Sequence, residues 1–249
     1  MANQEKFDII IFKFQQRVSM KNSDGFNDYD FDIGEVIRDA YELTKGVKLT
    51  FFLAFLFYIF IFIGTSMIIT LAYPGFAEDQ LSQIIFQIFI SVIAIPMIVG
   101  IQMLALRHTR GESIVFKDIF NYYDKTFKLF FAAISVALII YIPLIIFIIL
   151  GIVAKMPAVI ILAIFPILYL ALSYTYTTQL IADKDLGIWE AMELSRKAVK
   201  RHWLKFFGLG IMLSIIYLIG ALLLLVGLIW AIPMVMIAMS GIVYSKMFD

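Results

Sequence analysis

Long apolar runs constrain this chain more than any other feature of its sequence. Apart from Lys246 near the end of the last run, they contain no Asp, Glu, Lys, Arg or His. Because a helix needs about 20 mostly apolar residues to cross the hydrocarbon core of a membrane, we predict an all-α integral membrane protein. Six transmembrane helices are expected, or five if the short sixth run is re-entrant. The predicted spans are Leu49–Tyr73, Ile84–Leu106, Leu129–Val153, Pro157–Ala182, Phe206–Trp230 and Ile232–Met247.

Composition supports the same fold class. The 249 residues are 62% hydrophobic and only 16% charged, whereas a soluble domain carries about 25% charged residues. Because so few charges cannot cover a water-facing surface, the chain is expected in a membrane. The net charge of +1 favours no nucleic-acid partner, and the absence of cysteine excludes disulfides, thiolate nucleophiles and Cys-ligated zinc.

The distribution of lysine and arginine predicts the orientation of the spans. If both termini face the cytoplasm, 19 of the 20 basic residues lie on the cytoplasmic side. The exception is Lys155, between the third and fourth spans, and the outer loop 74–80 carries Glu78 and Asp79 but no basic residue. Cytoplasmic loops are enriched in lysine and arginine, so the pattern favours cytoplasmic termini and an even number of spans.

An amphipathic pattern recurs before each pair of apolar runs. Starting at Ile188, apolar or small residues occupy offsets 0, 3, 4, 7 and 11, which is one face of a helix. The same offsets recur from Ile33 and from Phe116, and each copy has an acid at offset 2 and a lysine at offset 12. Before the first copy, Asp32 is placed to cap the helix and Phe31 to pack on its first turn. We predict three repeats of an amphipathic cytoplasmic helix plus a transmembrane hairpin, at residues 31–106, 107–182 and 183–249.

The cytoplasmic segment formed by residues 1–30 has an ambiguous pattern. Apolar residues at positions 7, 10, 11, 14 and 18 fit a short amphipathic helix, while the alternation of Phe12 and Phe14 with polar neighbours also fits a strand. Both alternatives place the segment where it can cap the bundle or dock a partner.

The third amphipathic helix and the start of the next span hold the most concentrated basic residues of the chain. The simpler interpretation is a structural joint between spans. The functional interpretation is a non-enzymatic scaffold or accessory protein that acts through this surface on lipid headgroups or on a protein partner. The candidate binding residues are Trp189, Arg196, Lys197, Lys200, Arg201, Trp203 and Lys205.

Apart from Lys246, the polar residues within the predicted spans are few and uncharged. Hydrogen bonds between helices are the simpler interpretation of these residues. A groove between hairpins kinked by Pro96, Pro143 and Pro166 would instead suit a passive lipid or amphiphile transporter, the alternative function. The candidates for a polar groove are Gln102, Thr175, Thr177, Thr178 and Gln179.

No motif in the sequence indicates an enzyme. The two histidines, His108 and His202, lie at cytoplasmic ends of spans and outside any HExxH motif, and the phosphate-binding glycine motifs are absent. An EF-hand starting at Asp28 would need glycine at its sixth position, where Ile33 stands. The lack of charge within the spans argues against an ion-coupled carrier. We therefore expect no catalytic residues, no metal and no cofactor.

Three segments resemble a known family. LGIWEAMELSRKAVKRHWLKFFGLGIMLSII (residues 186–216) and VYSKMF (residues 243–248) resemble bacterial multi-pass inner-membrane proteins related to the membrane domain of glycerophosphoryl diester phosphodiesterases. FDIGEVIRDAYELTKG (residues 31–46) resembles the opening of the Bacteroidetes members, some of which are labelled beta-carotene oxygenases, a label that the residues here do not support. The resemblance implies a multi-pass bundle in a bacterial inner membrane. It implies no catalytic residues, because the phosphodiesterase of that family is a separate soluble barrel.

Overall fold

The computed structural model describes residue 11 and residues 30–73, 75, 78–156 and 161–249. Within these residues every regular element is helical, which confirms the all-α fold class. The chain divides into two compact units: unit 1 comprises Met1–Thr126 and Ile211–Asp249, and unit 2 comprises Phe127–Gly210. The helix or strand predicted within residues 1–30 lies almost wholly outside the described residues.

The α-helices of the described chain range from 5 to 30 residues in length. The α-helices are α1 (Ile33–Leu43), α2 (Lys48–Ala72), α3 (Gln80–Thr109), α4 (Thr126–Val153), α5 (Ile164–Ser173), α6 (Thr177–Lys184), α7 (Ile188–Arg201), α8 (Trp203–Leu222), α9 (Leu224–Met236) and α10 (Tyr244–Phe248). Two 3-10 helices, Phe116–Phe120 and Tyr123–Lys125, precede α4, and a π-helix, Ile237–Val243, joins α9 to α10.

Five helical stretches of the described chain are long and apolar enough to cross a membrane. They overlap the first, second, third, fifth and sixth predicted spans. The sixth predicted span was short, but the helical stretch that overlaps it has 23 residues, because α9, the π-helix and α10 are continuous. The stretches are Lys48–Ala72, Gln80–Thr109, Phe116–Val153, Trp203–Leu222 and Val226–Phe248.

The region of the predicted fourth span, Pro157–Ala182, is divided into short helices. Residues 157–160 lie outside the described chain, and the non-helical residues 174–176 separate α5 from α6. Neither of these helices reaches the roughly 20 residues of a span. The six-span topology and the three repeats therefore stay predictions.

The turn of the last hairpin lies earlier than the sequence predicted. The predicted fifth and sixth spans place the turn between Trp230 and Ile232, but α8 ends at Leu222 and Pro233 lies inside α9. Two glycines of this hairpin allow α8 and α9 to pack closely: a Cβ added to Gly220 would lie 2.7 Å from the Ala231 Cβ, and one added to Gly227 would collide with the Gly220 backbone. Small residues allow two helix backbones to approach closely, so the turn can lie at Leu223, between these two glycines.

Helix α1 begins as the sequence predicted. The Asp32 side chain accepts a hydrogen bond from the Glu35 N–H at 2.8 Å, so Asp32 is confirmed as the N-cap. Phe31 and Val36 are both buried, as the predicted contact between them requires. The other end of α1 is fixed to α3, because His108 Nε2 donates to the Leu43 carbonyl at 2.8 Å.

The second predicted amphipathic helix is instead a pair of 3-10 turns. Tertiary contacts of α3 explain the difference. The backbone of Ile119 approaches Gly100 so closely that any Cβ there would collide with it, and the Tyr123 hydroxyl donates to the Ile93 carbonyl at 3.0 Å. The Arg107 guanidinium also pairs with Asp118 at 3.2 Å. These contacts hold the segment along α3 and override its helical pattern.

The buried core of unit 1 lies where α1, the second half of α3 and the π-helix meet. All but one of the buried residues of α3 fall between Pro96 and Thr109. The π-helix packs closely here, since a Cβ on Gly241 would lie 2.5 Å from the Thr109 Cγ2. Most of α2 and the first half of α3 expose apolar side chains instead, as expected of helices long and apolar enough to cross a membrane.

In unit 2, α7 packs against α5 and α6. The loop before α7 is fixed by Asp185, which has a left-handed backbone (φ 53°) and receives hydrogen bonds from Lys128 Nζ to its carbonyl and its carboxylate, both at 3.1 Å. Helix α4 buries only Leu129, Ala132 and Gly151. Its other residues are partly or fully exposed.

Candidate functional site

Helix α7 has one buried face. Its buried residues are Ala191, Met192, Ser195 and Val199, at the spacing that the sequence assigned to one side of a helix. Because residues three and four apart return to the same side of a helix, the charged residues between them point away from α5 and α6.

The opposite face of α7 combines basic residues with an aromatic ring. The side chain of Trp189 is 75% exposed, and Lys197, Lys200 and Arg201 are exposed as well. Trp189 and Lys200 are eleven residues apart, which is close to three helical turns, so they lie on the same side. An exposed indole beside basic side chains is typical of helices that lie at a membrane surface.

Glu193 neutralises part of this surface. Its carboxylate accepts hydrogen bonds from Arg196 Nη2 at 2.8 Å and Nε at 3.0 Å, and Lys197 Nζ lies 3.4 Å away. The hydrogen bonds from Arg196, together with the smaller effect of Lys197, hold the pKa of Glu193 below its ordinary value. In the described part of the chain, neither Lys200 nor Arg201 has an acidic partner within ion-pair distance. These two cations are available to an external anion.

Two of the predicted binding residues lie outside this face. Trp203 begins α8, where its ring stacks on Phe207 with centroids 5.4 Å apart and lies 6.0 Å from the ring of Tyr169. Lys205 also belongs to α8 and is only partly exposed. The structure thus brings five of the seven predicted residues onto one surface, named here the basic face: Trp189, Arg196, Lys197, Lys200 and Arg201.

The buried face of α7 packs against the interruption between α5 and α6 and bonds to its backbone. At this interruption the Thr177 N–H bonds to the Tyr174 carbonyl, which leaves the Ser173 carbonyl outside the regular helical pattern. The Ser195 hydroxyl donates to the Ser173 carbonyl at 2.8 Å and accepts from the Tyr176 N–H at 3.2 Å. The helical spacing in the sequence placed Ser195 on a buried face but did not predict these hydrogen bonds. A hydroxyl among apolar residues was the signal that could have indicated them, because a buried hydroxyl needs a partner.

The predicted polar-groove residues fall in both units. Thr177 and Gln179 are buried in unit 2, next to the interruption, and the Thr177 Oγ1 has no hydrogen-bond partner among the described residues. Thr178 is partly exposed, and the Thr175 hydroxyl bonds back to the carbonyl four residues earlier at 3.0 Å. Gln102 lies in α3 of unit 1. Four of the five residues thus share one segment of unit 2.

The fold and the basic face define the class of protein. The chain is an all-helical protein with several helices long and apolar enough to cross a membrane, and one of its short helices exposes a cationic surface with a tryptophan. Comparisons of the chain with protein-family models, with curated proteins and with solved structures give no match in any of the three.

Proposed function

We propose that this chain is a non-enzymatic multi-pass protein of the bacterial inner membrane that acts as a scaffold or accessory protein. It docks on anionic lipid headgroups through the basic face. The observation that carries the proposal is the exposure of Lys197, Lys200 and Arg201 opposite a buried apolar face. Each basic residue near an anionic membrane contributes about 1 kcal/mol. Three such residues together correspond to an affinity gain of roughly 150-fold.

The proposed topology has six spans in three hairpins, with both termini in the cytoplasm. The charge distribution supports it, since 19 of the 20 basic residues then lie on one side. Length supports it as well: residues 161–184 are helical except at position 163 and at 174–176. At 1.5 Å per residue they extend about 36 Å, enough to cross a hydrocarbon core of about 30 Å. The interruption inside this span is tolerated because Ser195 satisfies the freed backbone groups.

The same proposal includes a relationship to the bacterial inner-membrane proteins that resemble the phosphodiesterase membrane domain. Residues 31–46, 186–216 and 243–248 carry that resemblance. The first segment contains α1, and the second contains α7 with most of α8.

Reversing two charges of the basic face tests the docking function. The Lys197→Glu/Arg201→Glu protein, extracted in mild detergent, is titrated with phosphatidylglycerol or phosphatidylcholine and followed by native mass spectrometry. We expect an affinity for phosphatidylglycerol at least about 25-fold lower than that of the unaltered protein, from two lost contributions of about 1 kcal/mol. The matched control Lys117→Glu/Lys155→Glu reverses two exposed charges outside the basic face and should keep the affinity.

Two outcomes would contradict the docking function. One is unchanged phosphatidylglycerol affinity in a folded Lys197→Glu/Arg201→Glu protein. The other is that the unaltered chain retains a stoichiometric protein partner instead of anionic lipid, and that the variant loses this partner. That result would make the basic face a protein-docking surface.

A second candidate function is passive passage of lipids or amphiphiles. It is favoured by the interrupted helix, where the buried Thr177 and Gln179 place polar groups inside a region expected to cross the membrane. Discontinuous helices line the substrate sites of many transporters. Purified protein in vesicles should then speed the movement of a fluorescent phospholipid between leaflets, as measured with a membrane-impermeant reductant. A rate equal to that of protein-free vesicles would exclude this function.

A further inference from the structure

A cluster of cations and aromatic rings lies in unit 1, where α1 ends and α2 begins. The rings of Tyr41 and Trp230 are stacked, with centroids 6.0 Å apart and planes inclined by 17°. The Lys48 Nζ lies over the Trp230 ring, 2.8 Å from its centre, and the Lys45 Nζ lies 5.3 Å from the centre of the Tyr41 ring. Both rings remain exposed, Tyr41 by 44% and Trp230 by 42%. The cluster is therefore open at the surface.

A glycine turn brings the two lysines to the rings. Residues 44–47 form the turn between α1 and α2, and Gly46 has a φ of 93°, which L side chains rarely adopt. No atom lies within 4 Å of the Cβ position of Gly46, so the requirement for glycine there is conformational. The turn places Lys45 and Lys48 on either side of Gly46, against the stacked pair.

The cluster carries more positive than negative charge. Glu42 pairs with Lys45 at 2.6 Å and neutralises it in part. Lys48 has no acidic partner among the described residues, and the face of Trp230 holds its ammonium group by a cation–π interaction. A ring orients the cation but does not neutralise it. Lys48 thus keeps its capacity to bind an anion.

An exposed apolar stripe runs along α2 from this cluster. Its residues follow helical offsets 0, 4, 7, 11 and 14 and all are exposed. At 1.5 Å per residue the stripe is about 21 Å long, which exceeds half of a hydrocarbon core of about 30 Å. Four of its residues line a groove of about 560 Å³ that Phe116 closes on one side. The stripe consists of Leu49, Leu53, Leu56, Phe60 and Ile63.

We propose that Lys48 and Lys45, held by the Trp230 and Tyr41 rings, bind the phosphate of an anionic phospholipid whose acyl chain lies along this groove. Charge and position favour this occupant. Lys48, which can bind a phosphate, is the first residue of the long apolar helix α2, and the exposed apolar stripe begins at the next residue, Leu49. Lysine and aromatic residues at the end of a span are typical of the headgroup region. The site goes beyond the proposed function, because it lies in unit 1 and the basic face lies in unit 2. It rests on the placement of α2 in the membrane and not on the six-span topology, which puts the turn at Leu223, shortly before Trp230, on the opposite side from Lys48.

The chain offers a direct test, because it has three tryptophans. The Trp189→Phe/Trp203→Phe protein keeps Trp230 as its single fluorophore. It is reconstituted in mixed phosphatidylcholine and phosphatidylglycerol bilayers in which the acyl chains of one lipid or the other are brominated. We expect brominated phosphatidylglycerol to quench Trp230 more strongly at equal mole fraction, with a relative association constant of about five, the factor for one basic residue at an anionic headgroup.

Variants separate this site from the basic face. In the same background, Lys48→Gln should lower the relative association constant to about one, Lys48→Arg should retain it, and the control Lys155→Gln should leave it unchanged. Adding Lys197→Glu and Arg201→Glu should also leave it unchanged, so failure of the docking function and failure of this site give different results. Inorganic phosphate should not reduce the quenching.

The site would be refuted by equal quenching from both brominated lipids in the protein that retains both lysines. Selectivity that survives Lys45→Gln/Lys48→Gln would refute it too. So would loss of the quenching on addition of inorganic phosphate, which would assign the cluster to a soluble anion.

Discussion

Replacing Ser195 with alanine removes a hydroxyl that bonds both sides of the interruption between α5 and α6. Ser195 donates to the Ser173 carbonyl at 2.8 Å and accepts from the Tyr176 N–H at 3.2 Å, and it is fully buried. Alanine keeps the helix propensity of α7 and removes only one oxygen atom. Any loss of stability therefore reports on these two hydrogen bonds.

The expected loss of stability follows from the backbone groups that lose their hydrogen-bond partner in Ser195→Ala. Side-chain hydrogen bonds between helices in membranes contribute about 0.6 kcal/mol on average, because the unfolded helices find other partners. A backbone group left buried without a partner costs more, about 1–3 kcal/mol. Since the Ser173 carbonyl lies at a helix interruption, we expect Ser195→Ala to lower the free energy of unfolding by about 1–3 kcal/mol. The Tyr176 amide should then exchange its hydrogen roughly 5- to 150-fold faster.

Two measurements check the Ser195→Ala prediction. Unfolding in mixed micelles by increasing mole fractions of sodium dodecyl sulfate gives the stability difference, and hydrogen exchange followed by mass spectrometry reports residues 173–177. Ser135→Ala is the matched control, because the Ser135 hydroxyl bonds only to the Phe131 carbonyl of its own helix turn. If Ser195→Ala is no more destabilising than Ser135→Ala and exchange near Tyr176 is unchanged, the role assigned to Ser195 is wrong.

Three further predictions concern charge and packing. Glu193→Gln should raise phosphatidylglycerol affinity about fivefold, since it releases Arg196 and Lys197; an unchanged affinity in native mass spectrometry would contradict this. Because Arg196 lowers the pKa of Glu193, the carboxylate stays charged as pH falls, so phosphatidylglycerol binding should be constant from about pH 7 to about pH 5 and rise only below the usual glutamate range; a rise within that range, at about pH 4–5, would show that this ion pair is absent. Gly241→Ala should lower stability in dodecyl sulfate unfolding by about 1–3 kcal/mol, because its Cβ would lie 2.5 Å from the Thr109 Cγ2, whereas Gly64→Ala, with no atom within 4 Å of its Cβ position, should be neutral or stabilising.

Local signals in the sequence predicted those parts of the fold that depend on a few neighbouring residues. The Asp32 cap and the buried face of α7 follow from spacing within one or two helical turns. Long apolar runs predicted the five long helices, because length and composition alone decide whether a helix can cross a membrane. Each of these features is encoded within one contiguous segment.

Features that depend on distant segments could not be predicted in this way. The 3-10 turns before α4 form because Ile119 packs on Gly100, and the last hairpin turns at Leu223 because Gly220 and Gly227 serve close helix contact. For the candidate sites, spacing predicted the basic face, but the stacking of Tyr41 on Trp230 joins residues at opposite ends of the chain. No periodicity within one helix contains that information.

The side of the membrane on which Lys155 and Lys197 lie decides whether the proposed topology is right. Docking of the basic face on the cytoplasmic leaflet requires that the segment between Lys155 and Lys197 crosses the membrane. The native chain has no cysteine, so Lys155→Cys and Lys197→Cys each introduce a single labelling site. With a membrane-impermeant maleimide, we expect Lys155→Cys to react in cells with a permeable outer membrane and Lys197→Cys to react only after the inner membrane is opened. If both cysteines react from the same side, residues 157–184 do not cross the membrane and the six-span account is wrong.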